Sequence, residues 1–275
     1  MHLSLVIGLD ETRRRPDEVA AEFRRKAEYL SGLGYDGVEL ALVLPERVPA
    51  GKLAEACESL GVKVPAVGTG STYLRCGYHF GTSDRHLREK ALERTAAYAQ
   101  FASRFDALVI VGLLRGRYRL PDTSEQALER VVECLERCGE LGDEHGVDFV
   151  LEPINRFEVD CLHTVAETAE VVHRVNHPRV KLMLDNFHLN LEEEPGFVND
   201  ELPRYCADLA HVHVADTNRR APGTGTFDYG TFVRVLRENL YAGFLSVETI
   251  HKPSFEAVAE VSAKTLLPLF GRPGG

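Results

Sequence analysis

The chain is short of positive charge, of long apolar runs and of closely spaced cysteines. Lys and Arg number 32 against 42 Asp and Glu, a formal net charge of −10. Non-specific nucleic-acid binding depends on neutralising phosphates with Lys and Arg, so this balance argues against it, while leaving room for a local basic pocket. No apolar run approaches the roughly 18 residues of a membrane span. The opening MHLSLVIGLDETRRR places its charged block after a short apolar stretch, the reverse of the order in a secretory signal. A cytoplasmic protein with no membrane and no nucleic-acid partner is expected. None of the six cysteines (Cys57, Cys76, Cys134, Cys138, Cys161, Cys206) forms a CxxC pair. Cys134 and Cys138, four apart on a helical stretch, are read as small buried hydrophobes rather than as ligands. No glycine-rich dinucleotide fingerprint follows the first apolar run, because Gly8 leads into LDETRRR. No linker or low-complexity stretch divides the chain.

What the sequence does contain is a repeated alternation. Short runs rich in Val, Ile and Leu recur at Leu3–Gly8, Gly37–Leu42, Val62–Val67, Ala107–Gly112, Val147–Glu152, Val180–Asp185, Leu209–Val214 and Phe244–Thr249. They are mostly continuous, which suits parallel strands covered on both faces. Amphipathic stretches lie between them: Pro16–Leu33, Asp84–Phe105, Ser124–His145, Leu162–Val175, Tyr229–Asn239 and Ser254–Leu267. Glycines at 34, 37, 61, 146 and 243 fall between helix and strand, where a left-handed cap is wanted. Strand–helix repetition over 275 residues predicts an α/β protein, a single (β/α)₈ TIM barrel spanning residues 1–275, with 271–275 as a loose tail. A doubly wound open sheet is the alternative.

In such a barrel, polar side chains at the C-terminal strand ends face the active site. The last four runs end in VLEP, LMLD, VHVAD and LSVET. Glu152, Asp185, His213 and Glu248 thus close four adjacent apolar strands and would converge. A buried charge is costly unless it is paired or bound, and three carboxylates at one point repel. One divalent cation resolves both problems. Three carboxylates and one imidazole suit Mn²⁺, Mg²⁺, Co²⁺ or Zn²⁺ and leave coordination positions for a substrate. Taken singly, each strand-end acid has a plainer reading, as the partner of an arginine or the cap of a helix. His211 and His213 are two apart on one strand and face the same side. His213, nearer the C-terminal end, is taken as the ligand and His211 as a residue behind it. Glu39 is read as a supporting carboxylate outside the site.

The segments LEPINRFEVDCLHT, VKLMLDNFHLNLEEE, HVHVADTNRRAPGTGTFDY and GFLSVET, together covering roughly residues 147–250, resemble the xylose-isomerase-like sugar epimerases. The resemblance is greatest to the ketose 3-epimerases related to D-tagatose 3-epimerase. It implies a metal, Mn²⁺ first, on Glu152, Asp185, His213 and Glu248, and substrate contacts from Glu158, His188 and Arg219. It implies 3-epimerisation of a ketose or keto-sugar acid, with a possible homo-oligomeric assembly. Glu152 and Glu248 would be catalytic, exchanging the proton of the carbon beside the ketone through an enediolate. His188 and Arg219 would hold the oxyanion, and Glu158 would orient His188 or a water. Arg220 is adjacent and is the alternative to Arg219.

The first half departs from that pattern. The fourth strand runs into VGLLRGRYRL, placing Arg115 and Arg117 just past its end. Arginine's planar fork suits a carboxylate or phosphate, so both are expected to bind an acidic keto-sugar. The plainer reading pairs them with surface acids. The loop GTGSTYLRCGYHFGTSD, residues 68–84, is read as a segment able to close over a substrate. Rival readings are an aldose–ketose isomerase or inosose-type dehydratase on the same scaffold, a DNA-repair endonuclease, disfavoured by the charge, and a non-catalytic sugar-binding barrel, disfavoured by Glu152 and Glu248.

Overall fold

The structure, a computed structural model, describes residues 1–117 and 122–271. The strands are β1 His2–Gly8, β2 Gly37–Ala41, β3 Ala66–Gly68, β4 Leu108–Val111, β5 Phe149–Leu151, β6 Val180–Asp185, β7 Leu209–Val214 and β8 Phe244–Val247. Each pairs in parallel with the next, and β8 pairs with β1 to close the barrel. This is the TIM barrel expected from the alternation. Residues 272–275, most of the expected loose tail, lie outside the described residues.

The helices are α1 Pro16–Gly32, α2 Ala50–Leu60, α3 Gly70–Cys76, α4 Arg85–Ala102, α5 Ser124–His145, α6 Val165–Val175, α7 Asn186–Glu192, α8 Phe197–Asp200, α9 Tyr229–Glu238 and α10 Phe255–Leu266. Local chemistry sets their ends. Thr123 and Thr164 each cap a helix reciprocally with Gln126 and Glu167, satisfying donors that the first turn leaves open. Gly61 and Gly146 end α2 and α5 at φ 67° and 70°. Gly243 does not cap α9; Leu240 takes the positive φ there instead. Four helices are absent from the reading of the sequence: α2, α3 and the short α7 and α8. Ala50–Leu60 has a short apolar stripe of Leu53, Ala56 and Cys57. Gly70–Cys76 begins in a glycine-rich stretch that reads as loop, so residues 68–84 are not one open segment.

Outward-facing strand residues pack against the helices in one large apolar core, including Leu3, Leu5, Val109, Phe149, Leu151 and Val212. The barrel interior is a separate layer. On the side of β3–β6 it is apolar: Ala66, Ile110, Val150 and Met183 form their own cluster. On the other side it is polar, with Ser4, Glu39, His211 and Ser246 all at or below 1 % exposure. Side chains alternate along a strand, so counting in twos from these residues gives the next layer up. That layer holds Val6, Ala41, Gly68, Gly112, Glu152, Asp185, His213 and Glu248. The sequence thus delivers uncharged residues from the first four strands, three of them glycine or alanine, and the charged ones from the last four to one plane at the barrel mouth.

Candidate active site

Glu152 follows β5 directly, Asp185 ends β6, His213 is the next-to-last residue of β7, and Glu248 follows β8. Their ligand atoms all lie within 4.8 Å of one another. Glu152, Asp185 and His213 are buried, while the Glu248 side chain keeps 36 % of its surface open at the mouth. Ligands at ~2.0–2.3 Å from one ion stand about 3–4.5 Å apart, so the spacing fits.

Two atoms test that fit. Glu152 Oε1 and His213 Nδ1 are buried and hydrogen-bond nothing. They are 3.9 Å apart, and His213 Nδ1 is 3.5 Å from Glu248 Oε2. Buried polar atoms left unpaired cost about 1–3 kcal/mol each. Orphans that face one another across such a gap are what two ligands of one cation look like without it.

His213 is aimed from behind. Its Nε2 donates to Glu39 Oε1 at 2.8 Å, and His211 Nε2 donates to Glu39 Oε2 at 2.7 Å. Glu39 is on β2 and does not neighbour β7 in the sheet, so its carboxylate reaches across the barrel interior. In the neutral form of His213 the Nε2–H bond leaves Nδ1 as the acceptor nitrogen facing the carboxylates, the arrangement by which a ligating histidine is usually oriented. The expectation that His211 stands behind the ligand and Glu39 supports it describes this geometry. That Glu39 holds both histidines was not read from sequence.

The charges are balanced tightly. Burial opposes ionisation of Glu39, but His213 and His211 outweigh it and hold the carboxyl well below the usual range. Burial also opposes a charged His213, and Glu39 and Glu248 overcome that to raise its pKa well above 6.5. His211 goes down, because burial dominates. Burial and then the charge of Glu248 push Glu152 up to about 8. Burial opposes the ionisation of Glu248 too, but His213 and Arg219 bring it down to about 2. Their surroundings thus shift the two carboxyls in opposite directions.

Arg219 bridges the cluster: Nη1 donates to Asp185 Oδ2 at 2.5 Å and Nη2 to Glu248 Oε2 at 2.6 Å. Its guanidinium lies over the Phe187 ring at 4.5 Å. Arg219 has φ 59°, an uncommon conformation outside glycine. The loop around it is fastened by Asp216, whose carboxylate accepts from the backbone N–H groups of Thr217, Gly223 and Phe227. Arg220 is exposed, so Arg219 is the one brought to the cluster.

His188, on α7, is buried, with Nε2 at 3.6 Å from Asp185 Oδ2 and 3.9 Å from Glu152 Oε1. Asn155 Nδ2 sits 2.7 Å from His188 Nδ1 and 2.9 Å from Glu158 Oε1. Glu158 therefore acts on His188 through Asn155, not directly. With an amide N–H on Nδ1, the imidazole proton is on Nε2, facing the cluster. Burial lowers the His188 pKa and favours that neutral form. Asn155 and Asn186 were missed. Asn186 pairs with both backbone groups of Ala215 and so ties the ends of β6 and β7 together. Both lie inside the segments that carry the family resemblance, but nothing in their residue type announced the role.

The two loop arginines are corrected. Arg115, expected to bind an acidic keto-sugar, is 1 % exposed, the largest fully buried side chain among the described residues. Its Nε donates to Gly112 O at 3.1 Å and Nη1 to Leu162 O at 3.2 Å. A three-residue 3₁₀ turn, Leu113–Arg115, folds the side chain inward. Arg117 is exposed, but its guanidinium donates to the carbonyls of Glu158, at 2.7 Å, and of Phe157. Among the described residues neither pairs with a surface acid; both donate to backbone carbonyls instead, and Arg115 Nη2 is buried without a hydrogen bond.

The closed eight-stranded barrel with a cluster of three acids and an imidazole at its C-terminal rim defines a class. The chain belongs to the xylose isomerase-like TIM barrel family, whose model matches residues 27–267. Among characterised relatives, D-psicose 3-epimerase of Ruminiclostridium cellulolyticum is 26 % identical over 238 residues, covering 84 % of this chain and 79 % of that protein. The 3-dehydro-D-guloside 4-epimerase of Escherichia coli K12 is 26 % identical over 263 residues, 88 % of this chain and 91 % of that one. The D-allulose 3-epimerase from a Methylomonas species, solved in complex with D-allulose, superposes with a TM-score of 0.82 over 99 % of this chain and 98 % of that one, at 19 % identity. No helix among the described residues is long and apolar enough to cross a membrane.

Proposed function

We propose that this chain is a divalent-metal-dependent carbohydrate epimerase, an isomerase that inverts the carbon beside a ketone in a ketose or keto-sugar acid. The observation that carries the reading is the convergence of Glu152, Asp185, His213 and Glu248 with two buried ligand atoms left unpartnered. These four residues would hold the ion, Mn²⁺ first among the candidates for an oxygen-rich set with one imidazole. When bound, the ion supplies electrophilic stabilisation to negative charge developing on the ketone oxygen and its neighbouring hydroxyl.

The chain's own residues do the rest. Glu152 and Glu248 come from β5 and β8, on two sides of the cluster, and can face a sugar from both. One removes the proton from the carbon beside the ketone, leaving an enediolate, and the other returns a proton to the opposite face. His188, neutral and protonated on Nε2, donates to the enediolate oxygen. Arg219 adds a fixed positive charge beside the same oxygens. Asn155 and Glu158 hold the His188 tautomer. The small residues Ala41 and Gly68 put no bulky side chain opposite the cluster, where the sugar would lie.

The E. coli relative, matched over 91 % of its length, favours one second reading. A 3-keto glycoside inverted at C4 presents the same ketone and neighbouring carbinol as a 2-ketose inverted at C3, so the same residues serve. The test is solvent exchange. In D₂O with Mn²⁺, deuterium is expected at the carbon beside the ketone of ketoses, keto-sugar acids or 3-keto glycosides, with loss of the signal after chelation. Transfer of hydrogen between C1 and C2 of an aldose–ketose pair, without inversion, would overturn the epimerase reading. We also read the protein as cytoplasmic and as a homo-oligomer; sedimentation velocity tests the latter.

A further inference from the structure

Gly112 stands just past the end of β4, at the level of the four ligand residues and beside Glu152. A Cβ built there would fall well inside van der Waals contact of Glu152 Oε2, 3.6 Å from Glu152 Cδ and 3.3 Å from Ile154 Cδ1. Two other glycines at strand ends of the first half are different. A Cβ at Gly8 or Gly68 would meet nothing nearer than a neighbouring carbonyl at 3.8 Å. The Gly112 backbone cannot retreat from an added methyl, because it is tied down on both sides. Its carbonyl accepts from the Arg115 amide at 3.2 Å and from Arg115 Nε at 3.1 Å. The Arg115 guanidinium is anchored in turn on Leu162 O, and Glu152 N donates to Val111 O at 3.2 Å. The carboxylate of Glu152 is the mobile party. Its Oε1 has no hydrogen bond to hold it in place.

We propose that Gly112 is a positioning residue for Glu152: the missing Cβ lets the carboxylate lie across the end of β4 and reach the cluster with Asp185, His213 and Glu248. The inference rests on the reading of Glu152 as a metal ligand. It also gives buried Arg115 a task, which is to fix the β4 end against which that carboxylate rests. Any side chain at 112 turns the carboxylate away while leaving the barrel intact, because what yields is the flexible end of a side chain and not backbone.

The test is a Mn²⁺ titration by calorimetry on four purified proteins besides the parent: Gly112→Ala, Gly68→Ala, Glu152→Asp and the double variant Gly112→Ala/Glu152→Asp. Metal-free melting curves check the fold of each. Gly112→Ala is expected to weaken Mn²⁺ binding by about 10–100-fold, the size usual for groups that orient a ligand. Gly68→Ala should stay within about threefold of the parent. In the Glu152→Asp background the carboxylate is one methylene shorter and stops clear of the methyl. Adding Gly112→Ala there should cost less than about threefold, a non-additivity that a general structural defect does not produce. Unchanged affinity in Gly112→Ala, equal losses in both backgrounds, or loss of the metal-free fold in Gly112→Ala would each overturn the inference. A parent that takes up no Mn²⁺ would overturn the metal-site reading first, and this inference with it.

Discussion

The two halves of the barrel put opposite things at its mouth. Strands β5–β8 present Glu152, Asp185, His213 and Glu248; strands β1–β4 present Val6, Ala41, Gly68 and Gly112. One half carries the four candidate ligands, and the other carries only uncharged side chains no larger than valine at that level. The division continues below. Beneath the ligand strands β5 and β6 the interior is apolar, with Val150 and Met183, whereas β2 sends Glu39 across the interior to His211 and His213. Charged side chains are thus concentrated on one side of the mouth, while the other side contributes, from one layer down, the carboxylate bonded to both histidines.

The comparison breaks most sharply at Glu152 and Glu248. If the ligand half carries the proton transfers, Glu152→Gln and Glu248→Gln should each lower substrate C–H exchange by about 10²–10⁴-fold, the range of general acid–base contributions. The measurement is made at saturating Mn²⁺, since each change also weakens the site. Near-parental exchange in either variant would dismiss the two-carboxylate mechanism.

The supporting half is tested at Glu39. Glu39→Gln keeps the shape but removes the anion that both imidazoles face. Mn²⁺ affinity is expected to fall about 10–100-fold. Because the amide can accept from only one histidine, Glu39→Gln should also melt earlier without metal. Unchanged affinity would mean that His213 needs no support from the opposite side of the barrel.

The ligand half was largely legible because strand ends announce themselves. An apolar run that stops on a charge is unusual, and four such stops in successive strands leave few explanations; Asp185 and Glu248 are found where that pattern puts them. The supporting half was obscure for physical reasons. Glu39 lies inside a strand, GVELA, and only the closed barrel reveals that it meets β7. Gly112 carries no chemistry of its own, and its role is an absence that matters only once Glu152 is placed against it. Asn155 has no charge to mark it. Arg115 misled, because a loop arginine beside an active site suggests an anion, and the turn that buries it on backbone carbonyls has no signature in GLLRG. Helix α2 was missed for a simpler reason: one stripe of three small or medium apolar residues is a weak periodic signal.

A smaller effect is expected from pH. Glu152 is raised to about 8, and His213 is raised as well, in the metal-free protein. A group whose pKa rises on folding stabilises the fold below its unfolded value, and that stabilisation is lost as pH climbs through the folded one. For Glu152 the window runs from about 4.5 up to about 8. The metal-free fold therefore loses this contribution as pH rises, while a cation that displaces the protons binds more tightly, by up to about tenfold per pH unit for each proton released. Melting curves of chelator-treated and Mn²⁺-loaded protein between about pH 5.5 and 8 should show a gap that widens with pH. A gap that narrows would contradict the protonated Glu152.

The smallest effect concerns the loop after β4, and it separates two arginines that look alike in sequence. Arg115 is buried on the carbonyls of Gly112 and Leu162, so Arg115→Ala removes those side-chain bonds, at about 0.5–1.5 kcal/mol each, while the carbonyls keep their backbone donors, the amides of Arg115 and Ile154. It should lower the melting temperature and reduce kcat/KM for acidic and neutral keto-sugars alike, because it acts through the backbone around Glu152 and not through the substrate's charge. Arg117 is the exposed one. Its bonds to the carbonyls of Phe157 and Glu158 occupy part of the fork and leave the charge in place. A charge at a solvent-facing rim contributes about 0.2–1 kcal/mol to an ion pair. Arg117→Ala should therefore reduce the preference for an acidic over a neutral keto-sugar by no more than about fivefold, at about 1.4 kcal/mol per decade, and mainly through KM. A larger drop confined to the acidic substrate would show that Arg117 leaves those carbonyls to bind the anion. An equal effect on both substrate classes would make it, like Arg115, a fastener of the β5 loop and leave the small-residue side of the mouth without a charge to offer.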